Sequence, residues 1–194
     1  MPDSSSALAP DVRAARAIRL GILYLLTFVP VTRATESPAN PLTTVSVAEQ
    51  RVRTSDAHLR GVLELAAAKS QTVRALLIVL QASDVIVHIC PRVPDSSNVV
   101  SGSLQYVGTH GGQRYLRIRV RLDLVPPQLI ALSGHELQHA VEVAAAASVV
   151  DATSMERHYR RIGFLRGTHR HETVDAQETE DRILRELAVV ARAE

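Results

Sequence analysis

The sequence predicts an α+β fold: a small antiparallel sheet of about three strands packed against helices, one of them long and central. Three observations predict it. The stretch Arg114 to Asp123 alternates apolar and polar residues without a break. Apolar residues recur at helical spacing both before and after that stretch. The order reads helix, helix, three strands, helices, with no internal repeat, so strands and helices are segregated.

Composition bounds the alternatives. The 194 residues are enough for one domain and tight for two. A hydrophobic fraction of 46% with 22% charged residues is that of a globular chain and excludes wholesale disorder. A net charge of +2 with 3% aromatics argues against a nucleic-acid surface. A single cysteine excludes an intrachain disulfide and a multi-cysteine metal site. Lys69 is the only lysine, a bias to which no function is attached.

Residues 1–39 read as an export segment. Arg13, Arg16 and Arg19 form a basic stretch, Leu20 to Val31 is nearly all apolar, and a run of small polar residues follows. Twelve apolar residues are too short for a bilayer span of about 20. Cleavage after Ala34 or Ala39 is expected to leave a near-neutral exported domain with no stable membrane span. Residues 40–53 read as a linker or edge segment, and 54–194 as a single domain.

The elements follow in order. A helix starts at Ser55 with Ser55 or Asp56 as its cap and Leu59, Val62, Leu63 and Leu65 on its apolar face. A second runs from Ser70 to about Gln81. Val85 to Cys90 is a short strand ended by Pro91 and Pro94, with Cys90 read as a buried small hydrophobe. Val99 to Val107 is a strand, and Gly108 to Gly112 its loop. In the next strand Leu116, Ile118, Val120 and Leu122 face the core, and Arg117, Arg119 and Arg121 the solvent. Pro126-Pro127 opens the long helix, which reaches about Ala147. A third helical region spans Ala152 to Ile162, and a last helix Glu172 to Ala193.

The long helix carries His135-Glu136-Leu137-Gln138-His139, an HExxH motif. Residues four apart stack on one helix face, so two imidazoles can bind one metal ion. Glu136 lies beside them, within reach of a water held by the metal. Zinc suits this donor set: it takes neutral imidazole, has no redox chemistry and brings bound water to a pKa of about 7. The preceding strand could present an extended peptide to the site, with the stretch Tyr115 to Arg121 lining the cleft.

This motif resembles that of the zincin group of zinc metallopeptidases. The stretch SGHELQHAVEVA, with YRRIG and HETVDA downstream, is also similar to small uncharacterised bacterial proteins with an HExxH helix. Metzincins require Gly and His where this chain has Glu142 and Ala145, so that branch is excluded. The gluzincin resemblance implies a third ligand, a Glu on a later helix. Glu156, Glu172, Glu178 and Glu180 are the candidates, and Glu172, at the start of the last helix, is preferred. Glu142 lies about 10 Å along a straight helix from His135, too far to share its coordination sphere.

A zinc hydrolase also needs an oxyanion donor, for which Tyr159 and His158 are candidates. Asp175 is placed to orient a histidine ligand. His169 and His171 read as exposed, His88 as a core or rim residue and His110 as a turn residue. The resemblance implies an exported, Zn2+-dependent metallopeptidase acting on a peptide or protein, with Glu136 activating the zinc-bound water. The alternative is a non-catalytic zinc-binding or structural envelope protein that keeps a zincin-like core.

Overall fold

The computed structural model describes residues 50–92, 101–165 and 171–193. The expected export segment, most of the linker, Pro94, the first residues of the Val99 strand and His169 lie outside them. Among the described residues the chain is α+β, with five helices, a mixed sheet of four strands and a separate ribbon of two.

β1 (Val52–Arg53) leads into α1 (Ala57–Lys69) and α2 (Gln71–Gln81). Asp56 starts α1 by accepting the Leu59 N–H at 2.8 Å. Ser70 separates the two helices. Its N–H caps α1 at Ala66 O, and its hydroxyl oxygen accepts the Val73 N–H of α2. The Ser70 hydroxyl donates to Glu186 Oε2 at 2.5 Å, and Thr72 gives Glu186 both its hydroxyl and its N–H. A carboxylate from the last helix therefore sits at the positive end of α2.

Burial pushes the Glu186 carboxyl up, but these donors outweigh it and hold it below its ordinary 4.5. A depressed folded pKa stabilises above 4.5, and that contribution is lost as pH falls through the folded value. Glu186→Ala is expected to cost about 1–3 kcal/mol at neutral pH. The gap to wild type should close in acid. Denaturant melts at pH 7 and pH 3 check this; an unchanged gap would refute it.

β2 (Val85–Pro91), β3 (Gly102–His110) and β4 (Gln113–Val120) complete the sheet in the order β1-β2-β4-β3. The expected antiparallel sheet is corrected here: β3 and β4 pair antiparallel, but β2 pairs parallel with both β1 and β4. The reason is connectivity. Gly111 and Gly112, both at positive φ, close a tight β3–β4 hairpin. The α1–α2 crossover instead returns the chain to the same end of the sheet, which makes β1 and β2 parallel.

Leu116, Ile118 and Val120 are buried as the alternation requires, while Leu122 is only partly buried. Val85, Val87 and Ile89 face the same core. Cys90 departs from expectation: it is half-buried, on the same face as the exposed His88, with Sγ 3.0 Å from His88 Nδ1.

The helices after the sheet are α3 (Pro126–Ala145), α4 (Ala152–Ile162) and α5 (Val174–Ala193). Between α4 and α5 lies the ribbon, β5 (Phe164–Leu165) against β6 (His171–Glu172). α3 is the centre of the core. It buries residues on every side from Leu129 to Val143, packing on the sheet, α1, α2 and α5. Gly134 lets α5 approach, because a side chain there would collide with Ile183. No described helix is long and apolar enough to cross a membrane.

Candidate metal centre

His135 and His139 lie one turn apart on α3, with ring centroids 4.9 Å apart and nearly perpendicular planes. Both Nε2 atoms converge on one carboxylate oxygen. Glu172 Oε1 is 2.9 Å from His135 Nε2 and 3.2 Å from His139 Nε2. All three residues are buried, and one donor atom from each lies within 4.8 Å of the others. Glu172 is thus brought to the site, but not from the start of a helix as expected. It belongs to β6, one residue before Thr173, whose hydroxyl accepts the Ala176 N–H of α5. Gly163 makes this approach possible, since a side chain there would strike the carbonyl oxygens of Glu172 and Tyr159.

The other candidate carboxylates separate. Glu156 is exposed and paired with Arg160, and Glu178 is exposed. Glu180 reaches His135, but on the opposite nitrogen, with Oε2 2.9 Å from Nδ1. Glu142 is outside the ligand set, as its distance along the helix requires. It instead contacts His139 Nδ1 at 2.8 Å. Asp175, expected to orient a histidine, is exposed, and Glu180 and Glu142 occupy that role. Sequence reasoning missed both, although the i,i+3 spacing of His139 and Glu142 was a usable signal.

Tyr159, the expected oxyanion donor, packs edge-on against the His139 ring, with centroids 5.4 Å apart. Its buried hydroxyl donates to the main-chain carbonyl of His139 at 2.8 Å, which helps dock α4 on α3. Burial, then the nearby carboxylates, raise its pKa well above the ordinary value. His158 is lowered by burial and by Arg161. His171, expected on the surface, is half-buried. β4 is also corrected as a cleft wall, since β2 and β3 occupy both its edges. The edge strand nearest the motif is β3: a side chain on Gly102 would collide with Glu136 Oε1.

The electrostatics call for a cation. Glu136, Glu142, Glu172 and Glu180 surround two imidazoles. Burial pushes both histidines down, but Glu172 with Glu180 raises His135 to about 10, and Glu142 with Glu172 raises His139 to about 9. Burial pushes Glu172 up, yet the two histidines hold it well below the usual carboxylate range. Without a metal, protons supply the positive charge; a divalent cation could take their place.

The donors fit such an ion. Metal–nitrogen bonds of about 2.0–2.1 Å give a tetrahedral edge of about 3.3 Å, close to the 2.9 and 3.2 Å separations found. His135 is close to carboxylates at both nitrogens, yet neither nitrogen has a hydrogen bond of good geometry. Its Nε2 lies 2.9 Å from the same Glu172 oxygen that His139 Nε2 approaches at 3.2 Å. His135, His139 and Glu172 could hold a metal ion. The chain matches no protein-family model, no curated protein and no solved structure.

Proposed function

We infer that this chain is an exported zinc metallopeptidase with a zincin-like site. The observation that carries the reading is the convergence of His135, His139 and Glu172 on one point beside Glu136. Two imidazoles and one carboxylate, with a second carboxylate adjacent, are the donor set of a zinc hydrolase. A bound zinc ion supplies Lewis acidity and brings water to a pKa of about 7.

The remaining steps fall to the chain itself. Glu136 accepts the proton of the attacking water as its oxygen bonds to the peptide carbonyl carbon. It then gives that proton to the amine nitrogen as the C–N bond breaks. The β3 edge beside Glu136 suits an extended peptide, whose backbone would pair with it. Export rests on the Arg13–Val31 pattern alone.

One observation favours the second reading, a non-catalytic zinc or envelope protein. Glu136, at 2% exposure, is as buried as the ligands, and structural zinc sites are closed. The first test is zinc per chain in protein purified without added metal, by elemental mass spectrometry. A ratio near one is expected. A ratio near zero that persists after zinc is offered would overturn the peptidase reading and leave only a structural protein without zinc.

A further inference from the structure

Glu142 is not a ligand, yet its carboxylate joins three parts of the centre. Oε2 lies 2.8 Å from His139 Nδ1. Oε1 accepts the Thr173 hydroxyl at 2.7 Å. Thr173 directly follows Glu172, and its Oγ1 accepts the Ala176 N–H at 3.2 Å, so the same hydroxyl starts α5. The Glu142 side chain is only 8% exposed and Thr173 3%, so the bonds are protected from water.

Two physical consequences follow. A carboxylate on Nδ1 keeps the proton there, which leaves the Nε2 lone pair pointing at the shared site. The other oxygen fixes Thr173, and with it the backbone that presents Glu172. β6 is only two residues long and pairs through two positions, so the ribbon alone holds Glu172 weakly. The Glu180 contact lacks this second anchor: it is off the hydrogen-bonding axis and 38% exposed.

We propose that Glu142 and Thr173 form a latch that sets His139 and Glu172 in register for the metal. They are positioning residues. The latch rests on the metal-binding part of the reading above and not on peptidase activity.

Zinc affinity of the full chain, measured by competition with a chelator, tests the latch. Glu142→Ala is expected to weaken binding about 10–100-fold, and Glu180→Ala less. Thr173→Val also weakens it, while Thr173→Ser restores it. The double variant Glu142→Ala/Thr173→Val should bind within about twofold of Glu142→Ala, because both changes break one unit. With Co2+ in place of zinc, the visible absorption bands of Glu142→Ala should shift as His139 and Glu172 move.

Loss of the α5 cap in Thr173→Val lowers metal-free stability, but that loss does not produce the non-additivity. If Glu142→Ala fails to fold, Glu142→Gln, of the same size, is read instead and should bind more weakly than wild type. Binding by Glu142→Ala within about threefold of wild type, or losses that multiply in the double variant, would overturn the latch. A wild-type chain that binds no zinc overturns the metal reading and the latch together. A wild-type chain that binds, beside unaffected variants, overturns the latch alone.

Discussion

Glu136→Gln is expected to keep the metal and lose hydrolysis. The substitution is nearly isosteric, and Glu136 sits within the buried stretch of α3, so the helix and both histidines stay in place. Glutamine cannot accept a proton from water at neutral pH. General-base contributions of this kind are worth about 10²–10⁴ in rate, so kcat/KM on a peptide mixture should fall by that factor. Metal content should remain near one per chain. The pairing of the two readouts makes the result diagnostic. Lost zinc would make Glu136 a structural member of the site, and unchanged activity would remove it from the chemistry. A wild-type chain that holds zinc but cleaves nothing would favour the non-catalytic reading.

The parts of this centre that a single sequence discloses are those set by one element's own period. HExxH needs only a helix to bring His135 and His139 together, and α3 is predicted by its Pro-Pro start and apolar density. The β4 alternation likewise places Leu116, Ile118 and Val120 in the core. Glu172 was recognisable as a ligand candidate, but its two-residue strand has no period to detect, and the HETVDA pattern reads as continuous helix. β1 is also too short to show a period, and its residues read only as part of a linker or edge segment. The parallel pairing of β2 depends on where the crossovers carry the chain, which no local pattern records. Glu142, Glu180 and Tyr159 acquire their partners through packing between α3, α4, α5 and β6. Sequence spacing limits which residues can meet, and Glu142 meets His139 at Nδ1, on the far side from Glu172. Spacing does not say which nitrogen of a histidine a carboxylate will reach.

Arg114 illustrates a signal present but hidden by charge. It shares the parity of Leu116 and Ile118, and the fold buries it to 6% exposure. Its guanidinium binds Asp84 through two nitrogens, at 2.8 and 2.6 Å. It also donates to the carbonyls of Val143, Ala146 and Val149 at 2.8–3.1 Å, and to that of Ala144 at 3.2 Å. α3 ends at Ala145 and is capped by Ala146 instead of a glycine, and its last carbonyls would otherwise be orphaned. One side chain therefore closes the negative end of the helix that holds both histidines, and ties it to the sheet.

Arg114→Met removes the charge while keeping much of the volume, and strands the carbonyls and Asp84. The buried carbonyls left without a donor cost about 1–3 kcal/mol each where water cannot reach them, so a total of about 3–5 kcal/mol is expected; Asp84, 44% exposed, adds little. For a domain of this size that lowers Tm by about 10 °C or more. Arg114→Lys keeps the charge but not the planar fork, and should fall between Met and wild type.

Acid dependence gives a second readout. Hydrogen bonding to Arg114 lowers the Asp84 pKa below its ordinary 3.8, against the upward push of burial. That pairing stabilises above 3.8 and is lost as pH falls through the lower folded value. In Arg114→Met this acid-labile contribution should shrink in the pH–stability curve, leaving the smaller effects of Arg51 and the Asp84 backbone. A loss under about 1 kcal/mol would mean that water satisfies the α3 carbonyls without Arg114. The metal site would then owe its position to packing on the sheet alone.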